Sequence, residues 1–207
     1  MPTRSCGVFL WQAGFSSINL FASNLRESNR MRHYIRARRQ GATYFFTVNL
    51  QQRDGNRMLV ESIKELRAAF DKVRHEHPFK VNAIVVLPEH LHAMWTLPVA
   101  DADFSMRWAL IKAQFSREII ADEAVSPSRA RRRERGIWQR RFYEHMIRDD
   151  QDFQAHANYI HWNPVKHGHV ERVSDWPYSS FHSHVRNGWL PVAWPGESNV
   201  GARSPMS

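Results

Sequence analysis

The sequence predicts an α+β fold built on an antiparallel sheet, and three observations carry the prediction. Aromatic and β-branched runs alternate with stretches of helical periodicity in the order strand, helix, strand, strand, helix, strand. Only Pro88-Glu89 separates the second strand from the third, a link suited to a hairpin. A further helical segment follows the fourth strand, and 207 residues are enough for one domain with a sizeable core.

Ala42-Thr43-Tyr44-Phe45-Phe46-Thr47-Val48-Asn49-Leu50 reads as the first strand, and Arg53-Asp54-Gly55-Asn56 as a turn. Ile63, Leu66, Phe70 and Val73 recur at helical spacing, giving a helix that runs out between His75 and Pro78. Lys80 to Leu87 and His90 to Leu97 form the second and third strands. Phe104, Trp108, Ile111, Phe115 and Ile119 trace the second helix, with Asp103 or Ser105 as its cap. Ser126 to Arg141 reads as a charged loop holding an arginine-rich insertion, Arg129 to Arg135, for which phosphate contact is favoured over a merely solvated segment. Phe142 to Arg148 is the fourth strand. Asp149-Asp150 open a third helix, where carboxylates suit the positive helix end, and Pro164 should end it at Asn163. The order is that of a ferredoxin-like, split β-α-β sheet with helices on one face, followed by a C-terminal helix.

Chemistry concentrates at two places. His90 and His92 stand two apart in a strand, so both imidazoles project to the same face. Alone, that spacing describes a solvated strand face more readily than half a metal site. The preceding run Ile84-Val85-Val86-Leu87 marks a buried neighbourhood, where two polar rings need a partner. On the third helix, Phe153, Ala157 and Ile160 form an apolar stripe, while His156, Tyr159 and Asn163 share another face. Tyr159 is placed as a candidate nucleophile and Asn163 as an oxygen ligand. His156 is an accessory candidate or an ordinary polar helix residue. His182 and His184 repeat the i, i+2 spacing outside any strand and read as surface histidines.

Formal net charge is +9, with a pI near 10.3, which favours a polyanionic partner. Arg32, Arg36, Arg38, Arg39, Arg140 and Arg141 are expected to border the site and contact phosphates. One cysteine, Cys6, excludes an internal disulfide and fits a reducing, cytoplasmic location. No apolar stretch approaches the roughly 20 residues of a membrane span. Residues 1–30 differ in character from the rest and read as a poorly ordered leader upstream of a functional start at Met31, or as a small appended element. The domain is expected over 31–185 and a tail over 186–207.

Several separated stretches carry a family resemblance. They include Thr47-Val48-Asn49-Leu50, Val85-Val86-Leu87-Pro88-Glu89-His90-Leu91-His92 and Trp138-Gln139-Arg140-Arg141-Phe142-Tyr143-Glu144-His145. Tyr159-Ile160-His161-Trp162-Asn163-Pro164-Val165-Lys166-His167-Gly168 and Asp175-Trp176-Pro177-Tyr178-Ser179-Ser180-Phe181-His182 extend them. Together they resemble the single-tyrosine HUH transposases, specifically the REP-associated tyrosine transposases of bacteria. The resemblance implies that His90 and His92 are the paired histidines, Tyr159 the catalytic tyrosine and Asn163 the third ligand. Many relatives in the wider insertion-sequence group carry Gln at that last position.

The resemblance further implies a single-stranded DNA substrate with REP-like hairpins, a 5′-phosphotyrosine intermediate, and Mg²⁺ or Mn²⁺ as cofactor. Zn²⁺ is also compatible with these ligand types. A polarised phosphate is needed because a free tyrosine has a pKa near 10. Two rivals stand beside this reading: a binding module of the same fold without chemistry, and a metal-dependent nuclease using activated water. Monomer and homodimer are both open.

Overall fold

The structure, a computed structural model, describes residues 38–120, 126–132 and 135–194. The expected leader, Arg32 and Arg36 lie outside the described residues, as does the tail beyond residue 194. The strands are β1 (Thr43–Asn49), β2 (Lys80–Val86), β3 (His90–Thr96) and β4 (Tyr143–Met146). The helices are α1 (Met58–Glu61), α2 (Ile63–Glu76), α3 (Phe104–Glu118), α4 (Pro127–Arg131), α5 (Asp150–Lys166) and α6 (Phe181–Arg186). The sheet order is β2-β3-β1-β4 and every pairing is antiparallel, which is the split β-α-β arrangement.

Strand alternation divides the apolar residues between two faces. Tyr44, Phe46 and Val48 of β1, with Leu91, Ala93 and Trp95 of β3, turn toward α2 and α3. There Trp95 stacks on Trp108 with ring centroids 4.3 Å apart. The single-face expectation describes these two crossover helices. The C-terminal helix α5 covers the opposite face instead, where Phe45, Val85 and Met94 meet Ile160 and Trp176. Both faces of the central strands are therefore buried, and the odd-numbered row of β1 lies under α5.

Two local expectations change. Asp149 caps α5 through a side-chain oxygen that accepts from Asp152 N, but Pro164 does not end the helix. A proline so near the end removes one donor only, and buried Ile160, His161, Asn163 and Pro164 hold the last turn against the fold. The His167 amide still donates to Asn163 O at 3.0 Å. Within the charged stretch, Pro127–Arg131 forms the short helix α4. Pro127 presets the first turn, and arginine and alanine sustain it. Arg135 there reaches the carbonyls of Ser116 and Ile119 at the end of α3, which fastens the insertion to that helix.

The free edge of β2 is partly closed by the segment before α6. Val86 N donates to Tyr178 O, and Ser180 N to Ile84 O, each at 2.8 Å. Trp176 Nε1 adds a buried bond to Val86 O at 2.9 Å. No helix of the described residues is long and apolar enough to cross a membrane.

Candidate active site

β3 lies between β2 and β1, so ladders on both sides fix the backbone that carries His90 and His92. Their rings face α5, 4.9 Å apart between centroids, and each residue is 3% exposed. Each imidazole is tied through Nδ1. Thr47 Oγ1, directly across the ladder, lies 2.9 Å from His92 Nδ1. Glu89 Oε1 lies 2.8 Å from His90 Nδ1. Such bonds set ring orientation and leave Nε2 as the ligand atom, the usual outer-sphere arrangement of a histidine metal site.

The electrostatics agree with that role. Burial, with His90, His167 and Lys166 nearby, holds the His92 pKa well below the ordinary imidazole value, so its ring is neutral and available to a cation. Burial would raise the Glu89 pKa, yet the hydrogen bond and attraction of His90, with Arg53 beside it, bring it down to about 2.

α5 supplies the rest. The Tyr159 ring lies 5.2 Å from that of His92 and 5.9 Å from that of Phe45. Asn163, one turn later, is fully buried. Its amide faces His92 closely enough to oppose the depression of that pKa. Even so, His92 Nε2 and both amide atoms of Asn163 are buried without a hydrogen bond of ordinary geometry. Orphaned polar atoms of this kind cost roughly 1–3 kcal/mol each unless something else meets them. Two imidazole nitrogens and an amide oxygen fit a divalent cation, and the unmet atoms are on the residues that would hold it.

Several neighbours escaped the sequence reading. The His167 ring lies 5.3 Å from His90, and Lys166 Nζ lies 4.8 Å from the centre of the Tyr159 ring. With the helix expected to end at Asn163, Lys166 and His167 fell beyond it, and Thr47 and Glu89 stood, without a role of their own, within the stretches that carry the resemblance. A second group, His145, Asp152 and His156, brings its ligand-type atoms within 4.8 Å of one another. His182 and His184 belong to α6 and are half-buried, with His184 Nδ1 at 3.1 Å from His161 Nε2.

The arginines separate into two places. Gln139 N donates to Asn49 O at 3.0 Å, and Asn49 pairs with His90, so exposed Arg140 and Arg141 follow directly beside the histidine end of β1. Arg38 and Arg39 precede the opposite end of that strand, roughly 20 Å away at about 3.3 Å per residue. The structure therefore does not bring Arg38 and Arg39 to the histidines.

No family model matches the sequence. A REP-associated tyrosine transposase of Escherichia coli is 46% identical over 170 residues, which covers 82% of this chain and 92% of that protein. A putative REP-associated tyrosine transposase of Haemophilus influenzae is 43% identical over 171 residues, covering 82% and 97% respectively. A solved REP-associated tyrosine transposase bound to a REP hairpin superposes with a TM-score of 0.72 at 43% identity. That match covers 86% of this chain and 98% of the other.

Proposed function

The chain belongs to the REP-associated tyrosine transposases, DNA-cleaving and DNA-joining enzymes, and from that premise we propose how it acts. Its substrate is single-stranded DNA carrying REP-like hairpins. The Tyr159 hydroxyl attacks the scissile phosphate, the 3′ oxygen leaves, and the 5′ phosphate remains on Tyr159. The bond energy is retained in the phosphotyrosine, so a second 3′ hydroxyl can displace it without a nucleotide cofactor.

The observation that carries this reading is the Tyr159 ring against His92, with buried Asn163 one turn further along the same helix. His90, His92 and Asn163 would hold Mg²⁺ or Mn²⁺. Bound there, the ion would draw charge from a non-bridging phosphate oxygen. Thr47 and Glu89 keep the two rings oriented. α5, docked by Ile160 on the sheet, keeps the Tyr159 hydroxyl at a fixed position relative to them, which in-line attack requires. Arg140 and Arg141 supply cations beside the histidine end of β1 for the DNA backbone.

The test uses a labelled oligonucleotide carrying the REP hairpin of the solved relative, with single-stranded flanks, and Mn²⁺. Wild-type protein should give a covalent band and Tyr159→Phe none, with hairpin binding retained. Cleavage that persists in Tyr159→Phe would hand the reaction to activated water. Binding without any adduct from the wild type would leave only a recognition module.

A further inference from the structure

His145, Asp152 and His156 lie outside the ligand set just described, on β4 and on the first turns of α5, the helix that carries Tyr159. Asp152 is the centre of the group and is 8% exposed. Its Oδ2 accepts from His145 Nε2 at 2.8 Å, from Arg148 N at 3.0 Å and from Arg148 Nε at 3.2 Å. Its Oδ1 lies 3.0 Å from His156 Nδ1. The carboxylate is thus met by four donors, one of them a guanidinium. That environment suits an orienting anion better than a second metal ligand, since a cation would have to displace Arg148.

His156 is held on one side only. Nδ1 is within 2.8 Å of the Asp152 carbonyl oxygen as well as the carboxylate, and both are acceptors. The proton must therefore sit on Nδ1, which leaves the lone pair on Nε2. His145 stacks on the face of the His156 ring at 4.7 Å, with the planes 15° apart. Phe45 packs on His156 at 4.8 Å and on Tyr159 at 5.9 Å, so one β1 ring backs both side chains. His156 and Tyr159 are i and i+3 on α5. Helical side chains lean toward the N-terminus, which brings the tyrosine over the turn that carries His156.

We propose that His156, fixed by Asp152 in the tautomer with a free Nε2, takes the Tyr159 hydroxyl proton during attack. This rests on Tyr159 being the nucleophile. In cleavage the Tyr159 O–H bond breaks, the proton passes to His156 Nε2, and the oxygen bonds phosphorus. The P–O3′ bond breaks, and the departing 3′ oxygen takes a proton from water. In joining, an incoming 3′ hydroxyl loses its proton to solvent as it attacks phosphorus. The protonated His156 returns its own proton to the departing Tyr159 oxygen. Asp152 and His145 are positioning residues. The charged and titratable groups facing His156 are Asp152 and, through it, Arg148 on the α5 side, and His145 from β4. Burial keeps the imidazole from being protonated in advance, since it lowers the His156 pKa.

The experiment measures single-turnover adduct formation across pH with the hairpin oligonucleotide and Mn²⁺, for wild type, His156→Ala, Asp152→Asn and Tyr159→Phe. Loss of a general base slows such steps by about 10²–10⁴-fold. His156→Ala should show that loss near neutrality, recover as pH rises toward the phenol range, and regain rate with added imidazole. Replacing Tyr159 by 3,5-difluorotyrosine, whose phenol is more acidic, should restore much of the rate to His156→Ala. Asp152→Asn should slow adduct formation while hairpin binding stays unchanged. A His156→Ala protein that binds hairpin and keeps the wild-type pH profile overturns the proposal. So does a loss that neither imidazole nor the acidic phenol relieves. An adduct that survives in Tyr159→Phe overturns the nucleophile assignment instead, so the two failures are told apart.

Discussion

Thr47 Oγ1 and His92 Nδ1 lie 2.9 Å apart across the β1–β3 ladder, so one hydroxyl decides which nitrogen of His92 is left for a cation. Thr47→Val keeps the side-chain shape and removes that oxygen. Outer-sphere changes of this kind cost about 10–100-fold in metal affinity. Calorimetric titration with Mn²⁺ should show a loss of that size with the fold intact. An affinity within about twofold of wild type would remove Thr47 from the site.

Arg140 and Arg141 should each carry one phosphate contact. For single strands, the slope of log affinity against log salt is about −0.7 per phosphate neutralised. Arg140→Ala and Arg141→Ala should each flatten the slope by about that amount in fluorescence anisotropy. Arg38→Ala, at the far end of β1, should leave single-strand contacts at the cleavage site unchanged in footprinting. Equal protection losses from Arg38→Ala and Arg141→Ala would contradict the strand register as a guide to the DNA path.

Acid should unfold the protein partly through His161. Burial, and then the charge of His184, lower its pKa from 6.5 to about 3. Between those values the unfolded chain binds a proton that the folded one does not. Stability from this residue is therefore complete above about pH 6.5 and is lost as pH falls toward 3, by at most about 1.4 kcal/mol per pH unit. Urea midpoints at pH 7 and pH 5 should fall less in His161→Gln than in wild type. Identical drops would show that other groups carry the acid sensitivity.

Arg107 is a structural test away from the chemistry. It is 2% exposed and donates to the carbonyls of His77, Asp103 and Pro78, and to Asp101 Oδ2 at 2.7 Å. Arg107→Met fills much of the same space but leaves these acceptors unmet. Leaving the buried carbonyls unmet costs about 1–3 kcal/mol, and the partly exposed Asp101 adds little because water can solvate it. A denaturation midpoint close to wild type would mean that water replaces the guanidinium there.

The sheet and the shared faces of the two histidines and of the α5 residues were legible because they depend on short-range spacing. His90 and His92 share a face by strand alternation alone, and Tyr159 and Asn163 share one by helical period. What remained hidden depends on contacts between distant segments. Thr47 stands 45 residues from His92, and no local pattern marks a threonine in a strand as a partner for a histidine. Asp152, in the first turn of the helix that Asp149-Asp150 open, drew no reading of its own, and the turn from β4 into α5 sets His145 against it. The run of α5 through Pro164 reflects packing that overrides a backbone preference. That α5 covers the face opposite α2 and α3 departs from the single-face expectation, because the strands carry apolar residues on both faces. In the arginine-rich stretch, for which phosphate contact was expected, Arg135 directs its donors to the end of α3, a tertiary contact that charge alone does not reveal.

The covered edge of β2 has a consequence for self-association. A sheet lengthens into a fibril when an open margin can template a strand from another chain. Here Tyr178 and Ser180 already occupy the bonds of Ile84 and Val86. The other margin, β4, is only four residues long. Neither margin offers a long, flat row of unpaired amides. A sheet whose ends must stay accessible to DNA is in this way kept closed to strands of other proteins.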